Sequence, residues 1–132
     1  HAIGADSAFE RGAGEDKQIF LPAPGWRGSA SQFHPDALPP ELWQRAPAIA
    51  AAAHPAFAGL DPFIQALHTR NVCQVLGPAL NAPADFVLCW TADGEASGGT
   101  GQAIRIAAGR GVPVYNFQRP RERAHVERHL SL

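Results

Sequence analysis

An unbroken apolar run followed by a cluster of glycines constrains this chain more than any other feature. Residues 85–117 read DFVLCWTADGEASGGTGQAIRIAAGRGVPVYNF. The apolar residues 86–90 do not alternate with polar ones, which is typical of a central parallel strand covered on both faces. A helix is predicted over residues 99–108, glycines at 109–111 end it, and residues 112–117 are predicted to form a second strand. This order of elements predicts an α/β fold.

Proline and glycine delimit the remaining elements. The stretch 18–21 is predicted to be a short strand ended by prolines, and residues 22–40 a long irregular loop. Further helices are predicted at 40–53, at 62–76 with Asp61 as N-cap and Gly77 as stop, and at 120–130. The chain also begins with a helix entry capped by Asp6 or Ser7, yet no strand precedes it, although a βαβ unit requires one.

Composition and charge limit the function classes. The 132 residues are 45% hydrophobic with a net charge of -1, which predicts one domain over residues 1–132 and excludes a globally basic nucleic-acid binder. Cys73 and Cys89 have neither zinc-site nor disulfide spacing, and no run is long enough to span a bilayer. We therefore expect a cytoplasmic protein with no membrane partner, no metal and no cofactor.

Three separate stretches carry candidate ligand-binding chemistry. In open α/β sheets, ligands bind beyond the carboxyl ends of the strands, where the chain enters a helix. Glycines let the backbone approach a phosphate closely, and hydroxyl groups add donors, although a glycine cluster alone is equally typical of a turn. The candidate residues are Gly4, Ala5, Asp6, Ser7, Arg70, Asn71, Thr91, Ser97, Gly98, Gly99, Thr100, Gly101 and Gln102.

These motifs, in their order, resemble the Rossmann-like SLOG superfamily. GADSAF, the Arg70-Asn71 pair, DFVLCW and SGGTGQAIRIA carry the resemblance, which spans residues 4–117 and is closest to small phage-encoded members similar to DNA-processing protein A. It implies a three-layer fold with a mainly parallel sheet, here with its first strand missing or truncated. It also implies that Gly4, Ala5, Asp6, the Arg70-Asn71 pair and residues 97–101 line a nucleotide- or nucleic-acid-binding groove, and it is compatible with a homodimer.

One departure from the related Lonely Guy phosphoribohydrolases bears on catalysis. Their PGGxGTxxE motif ends in a glutamate that works in nucleotide cleavage, and Arg105 occupies that place here. A guanidinium stays protonated and cannot act as a general base. Asp93 and Glu95 are nearby carboxylates that could substitute. No catalytic residue is assigned, and the sequence favours binding without cleavage.

The carboxyl-terminal segment is basic. Six of the eleven Lys and Arg residues lie in the last 28 positions, against two glutamates. Such a segment is either a solvated helix face or a surface that meets phosphates. Three functions remain open: binding of a nucleotide or nucleotide-like phosphate ligand, binding of single-stranded DNA as a recombination accessory factor, and hydrolysis of a nucleoside monophosphate. The candidate nucleic-acid contacts are Arg119, Arg121, Arg123 and Arg128.

Overall fold

The computed structural model describes residues 3–129, with side chains from residue 7 onwards. This part of the chain contains five α-helices and two short parallel β-strands, so the α/β prediction is confirmed. The helices are α1 (Ile3–Ala13), α2 (Pro40–Ala52), α3 (Pro62–Leu76), α4 (Gly98–Gly109) and α5 (Pro120–His129). The strands are β1 (Val87–Cys89) and β2 (Val114–Asn116).

Helix α3 is the centre of the packing and begins and ends as its sequence predicts. The Asp61 carboxylate accepts a hydrogen bond from the Phe63 N–H at 2.9 Å, and Pro62 occupies the first turn, where no N–H is needed. Gly77 ends the helix with φ 82°, a left-handed conformation that favours glycine. Its apolar face packs between α2 and α4 and supplies Val72, Cys73, Val75 and Leu76 to the hydrophobic core.

The two strands pair in parallel, with Leu88 opposite Tyr115. Val114 packs against the core that contains Ile106 of α4, whereas the Tyr115 ring stacks on His125 of α5 with centroids 5.2 Å apart. Because successive side chains of a strand point to opposite faces, α4 and α5 cover opposite faces of the sheet. The order strand, helix, strand predicted for residues 86–117 is therefore present.

The strands are shorter than the sequence predicts. At the two ends of the apolar run, Phe86 and Trp90 lie outside β1 and are 37% and 40% exposed, so the run is not covered on both faces. Residues 18–21 form only an isolated bridge between Phe20 and Phe33. Strands are stabilised by pairing, and a sheet of only two strands is marginal; among the described residues each strand has one partner.

The amino-terminal helix also differs from the prediction. Helix α1 already includes Ile3, so Asp6 and Ser7 lie inside the helix rather than capping it. The loop of residues 22–40 is irregular as predicted, apart from the 3-10 turn Trp26–Gly28. In the part of the chain that the structure describes, no helix is long and apolar enough to cross a bilayer.

Candidate functional site

A hollow of about 830 Å³ lies between α1, α3, β1 and the first turn of α4, and we call it the hollow throughout. It brings together residues from all three stretches that the sequence singles out. Gly4, Ala5 and Asp6 lie outside the residues whose side chains are described. The predicted residues that line the hollow are Ser7, Arg70, Asn71, Thr91, Ser97, Gly98, Gly99 and Thr100.

Asn71 joins helix α3 to the glycine loop. Its amide nitrogen donates to the Gly99 carbonyl at 3.2 Å and to Gln102 Oε1 at 3.3 Å. Its oxygen accepts a hydrogen bond from Arg70 Nε at 3.1 Å. The Asn71 side chain therefore fixes the position of the loop relative to the Arg70 guanidinium, and both groups face the same space.

The first turn of α4 presents backbone donors to the hollow. The first intrahelical bond runs from the Gly101 N–H to the Ser97 carbonyl at 2.8 Å, so the amides of residues 98–100 precede it and have no acceptor within the helix. Ser97 does not cap them, since its hydroxyl donates to Asp93 Oδ1 at 2.8 Å instead. Gly98 has φ 63°, a left-handed conformation that favours glycine. The helix dipole adds partial positive charge at this end.

Two predicted residues, Gly101 and Gln102, lie beneath the loop and do not line the hollow. A Cβ at position 101 would lie 2.5 Å from the carbonyl carbon and oxygen of Ala96, so only glycine lets the chain pass there. Gln102 is fully buried, and its amide nitrogen donates to the Ala50 carbonyl at 3.3 Å. Both residues support the loop from below.

His68 completes the buried polar network under the loop. Its Nδ1 lies 2.9 Å from Gln102 Oε1, which only accepts, so Nδ1 carries the proton. Burial lowers the pKa of His68 from its ordinary value of 6.5; the hydrogen bond to Gln102 opposes this, and the nearby His54, Arg105 and Arg70 reinforce it. The imidazole is therefore a neutral structural donor.

Cationic side chains border the hollow. Arg70 is 9% exposed, donates to the Phe20 carbonyl at 3.4 Å, and lies with its guanidinium carbon 5.8 Å from the Trp26 ring centroid. Arg27 also lines the hollow, and its guanidinium stacks on Trp26 at 4.7 Å. Arg27 has φ 54°, uncommon for a residue other than glycine, and no sequence pattern singles it out.

The carboxylates near the loop are not arranged as general bases. Arg105 donates to the carbonyls of Ala53 at 2.9 Å and Ala96 at 3.2 Å, so it ties α2 to the loop. Hydrogen bonds from the Glu95 N–H and the Ser97 hydroxyl lower the pKa of Asp93. Glu95 pairs with Arg119 at 3.2 Å. Neither carboxylate lines the hollow.

The basic carboxyl-terminal segment lies apart from the hollow. Arg119 is held by Glu95, Glu122 and the Gly94 carbonyl, and Arg123 pairs with Glu127 at 2.9 Å. Arg121 and Arg128 are exposed and lie seven residues apart on α5, hence on one side of it. His125 and His129 are stacked on each other, with ring centroids 4.1 Å apart.

Among the described side chains, those of residues 7–129, there is no group of three or more that could hold a metal ion. Comparison of the chain with known protein families, curated proteins and solved structures returns no match.

Proposed function

We propose that this protein binds a nucleotide or nucleotide-like phosphate ligand in the hollow, without cleaving it. The proposal depends mainly on one observation. The amino terminus of α4, Arg70 and Asn71 all line the hollow, and Asn71 is hydrogen-bonded to Gly99 of α4. Backbone amides at a helix start, a helix dipole and a guanidinium are the groups that bind phosphate in proteins. The SLOG resemblance leads to the same ligand class and to a Rossmann-like fold.

The rest of the hollow suits the remainder of such a ligand. Its volume of about 830 Å³ lies within the range of small-molecule sites, roughly 300–1,000 Å³. Phe9, Leu67 and Leu88 supply an apolar wall opposite the polar loop. A ligand that fits this hollow has an anionic group at the glycine loop and a planar apolar group against that wall. A nucleotide has both groups. The carboxylates near the loop lie outside the hollow, which favours binding over hydrolysis.

The test is a calorimetric screen of inorganic phosphate, nucleoside mono-, di- and triphosphates and cyclic nucleotides, with product analysis of each mixture. The key variants are Gly99→Asp and its neutral match Gly99→Asn, because a side chain at position 99 meets nothing within 4 Å. An aspartate there suits the helix start but repels an anion. We expect Gly99→Asp to weaken binding at least about tenfold and Gly99→Asn to weaken it much less.

Equal affinities for the two Gly99 variants would contradict a phosphate site at the α4 amino terminus. Release of free base from a nucleoside monophosphate would make the protein a phosphoribohydrolase instead.

A second candidate, single-stranded DNA binding, is favoured by the side of α5 that meets Tyr115 at the edge of the sheet. There the rings of Tyr115, His125 and His129 form a stacked column beside the exposed Arg121 and Arg128. Single-stranded sites combine cations with aromatic rings in this way. The test is oligonucleotide affinity as a function of salt: each lost phosphate contact should reduce the slope by about 0.7 in the Arg121→Gln/Arg128→Gln double variant. Arg110→Gln, at the exposed residue that follows α4, is the control.

A further inference from the structure

Within the described part of the chain, strand β1 uses only one of its two hydrogen-bonding edges. The Val87 N–H donates to the Pro113 carbonyl at 2.8 Å, and the Cys89 carbonyl accepts from the Phe117 N–H at 2.8 Å. In a parallel pair, alternate residues direct their N–H and C=O groups to opposite edges. The N–H and C=O of Leu88 therefore point away from β2. Within residues 3–129, no strand pairs with that second edge.

The second edge faces the hollow, and the surroundings suit a buried strand. Leu88 lines the hollow together with apolar side chains of α1 and α3, among them Phe9 and Leu67. Backbone groups facing an apolar space are costly unless they find hydrogen-bond partners. The apolar run of residues 86–90 has the pattern of a central strand, yet β1 lies at the edge of a two-stranded sheet. A strand paired with this edge would make β1 a central strand, as its apolar sequence predicts.

We infer that the free edge of β1 pairs with a third strand, supplied by an extended polypeptide segment with an apolar centre and acidic flanks. The free edge presents backbone N–H and C=O groups alternately. Only an extended backbone has donors and acceptors at the same spacing, so the expected partner is a β-strand. The charged side chains that line the hollow favour acidic flanks: Lys17 pairs with Glu10 at 3.6 Å, and Arg27 and Arg70 add two further positive charges.

Such a strand does not depend on a phosphate ligand and leaves the phosphate position at the α4 amino terminus open, but it would occupy the apolar wall of Phe9, Leu67 and Leu88 in place of the planar group of a nucleotide. It would run alongside residues 86–89, whereas the glycine loop follows the carboxyl end of β1. In open α/β sheets, a ligand binds beyond the carboxyl ends of the strands. An added strand lies along the side of its neighbour, so the strand and the phosphate occupy different positions.

The experiment measures amide hydrogen exchange of the chain by nuclear magnetic resonance, with and without the synthetic peptide Glu-Val-Ile-Val-Ile-Val-Glu. The Leu88 amide reports on the free edge, and the Val87 amide, already bonded to Pro113, is the internal control. We expect the peptide to slow exchange at Leu88 at least about tenfold while Val87 changes little. The matched control peptide is N-methylated at every internal residue, so that neither of its edges can donate backbone hydrogen bonds to a strand.

Two results would overturn the inference. Equal exchange at Leu88 with both peptides would mean that the edge does not accept a strand. Protection of Leu88 without peptide would mean that the edge is already covered; if that protection grew with protein concentration, sedimentation would identify a second copy of the chain as the occupant.

Discussion

Among individual residues, Gln102 links three helices instead of making the ligand contact that its sequence position predicts. Its side chain accepts from His68 and Asn71 of α3 and donates to the Ala50 carbonyl of α2. A buried amide with all its partners specifies one arrangement, because any shift leaves a polar group without a hydrogen bond. The glycine loop above it is therefore held in place by three helices.

The His68 imidazole gives this network a pH dependence. Its pKa is lowered in the folded protein, chiefly by burial, so the unfolded chain binds more protons between that pKa and 6.5. The free energy of unfolding is thus highest above pH 6.5 and falls as the pH drops through the lowered pKa. We expect His68→Gln to flatten this fall in urea titrations across pH 5–8. Parallel pH profiles for the two proteins would contradict the assignment.

Gly101 and Gly99 lie in the same helical turn and should respond oppositely to alanine. At position 101 the new methyl group would meet the Ala96 backbone at 2.5 Å, whereas at position 99 nothing lies within 4 Å. We expect Gly101→Ala to lower the free energy of unfolding by about 1–3 kcal/mol. Gly99→Ala should be neutral or stabilising by up to about 1 kcal/mol, since alanine favours helix. Urea denaturation of both variants measures the difference, and equal losses would show that the close approach is absent.

Among the elements, α3 depends on its cap because its first turn is otherwise exposed. The Asp61 carboxylate accepts from the Phe63 N–H at 2.9 Å, and Phe63 itself is 44% exposed. We expect Asp61→Ala to cost about 1 kcal/mol in the free energy of unfolding, and Asp61→Asn, which keeps an acceptor, to cost much less. Thermal or urea unfolding distinguishes them, and an Asn variant as unstable as the Ala variant would point to charge rather than capping.

The helices could be predicted from the sequence better than the strands, for a physical reason. Asp61, Pro62 and Gly77 act locally, so the bounds of α3 follow from the chain itself. A strand exists only where a partner pairs with it, and residues 18–21 find a single bridge through Phe20 instead. Side-chain pattern predicts burial, but it does not report which edge of a strand is occupied.

Part of the candidate site could be predicted from the sequence, namely the part that follows from the order of the elements along the chain. The topology of an α/β unit brings the glycine loop and the Arg70-Asn71 pair to one end of the sheet, and they line one hollow. The inward position of Gln102 and the support given by Gly101 depend on tertiary packing, which no local pattern encodes. Arg27 reaches the hollow through a left-handed backbone conformation that its sequence does not signal.

At the scale of the whole molecule, packing is uneven. Helices α2, α3 and α4 share one core, whose fully buried side chains include Val72 and Leu76. The sheet beside that core has two strands of three residues each. Regions with few buried contacts open locally at lower free energy than the core. The sheet should consequently open more readily than α3.

The two cysteines measure this difference directly. Cys73 of α3 and Cys89 of β1 are both buried, and burial raises the pKa of each thiol to about 11, so neither reacts readily while its surroundings stay closed. Alkylation of the single-cysteine variants Cys73→Ala and Cys89→Ala therefore reports opening. We expect Cys89 to react at least about tenfold faster than Cys73.

Denaturant tests the cause of that difference. Alkylation of Cys73 should accelerate steeply at low urea concentrations, because α3 opens by global unfolding that exposes much surface, whereas Cys89 should respond weakly because local opening of the sheet exposes little. In fully denaturing urea the two thiols should react at similar rates, which controls for intrinsic reactivity. Equal rates and equal urea dependence in the folded range would mean that sheet and core open as one unit. A peptide that pairs with the free edge of β1 should slow the alkylation of Cys89 and leave Cys73 unaffected, because it would stabilise the sheet alone.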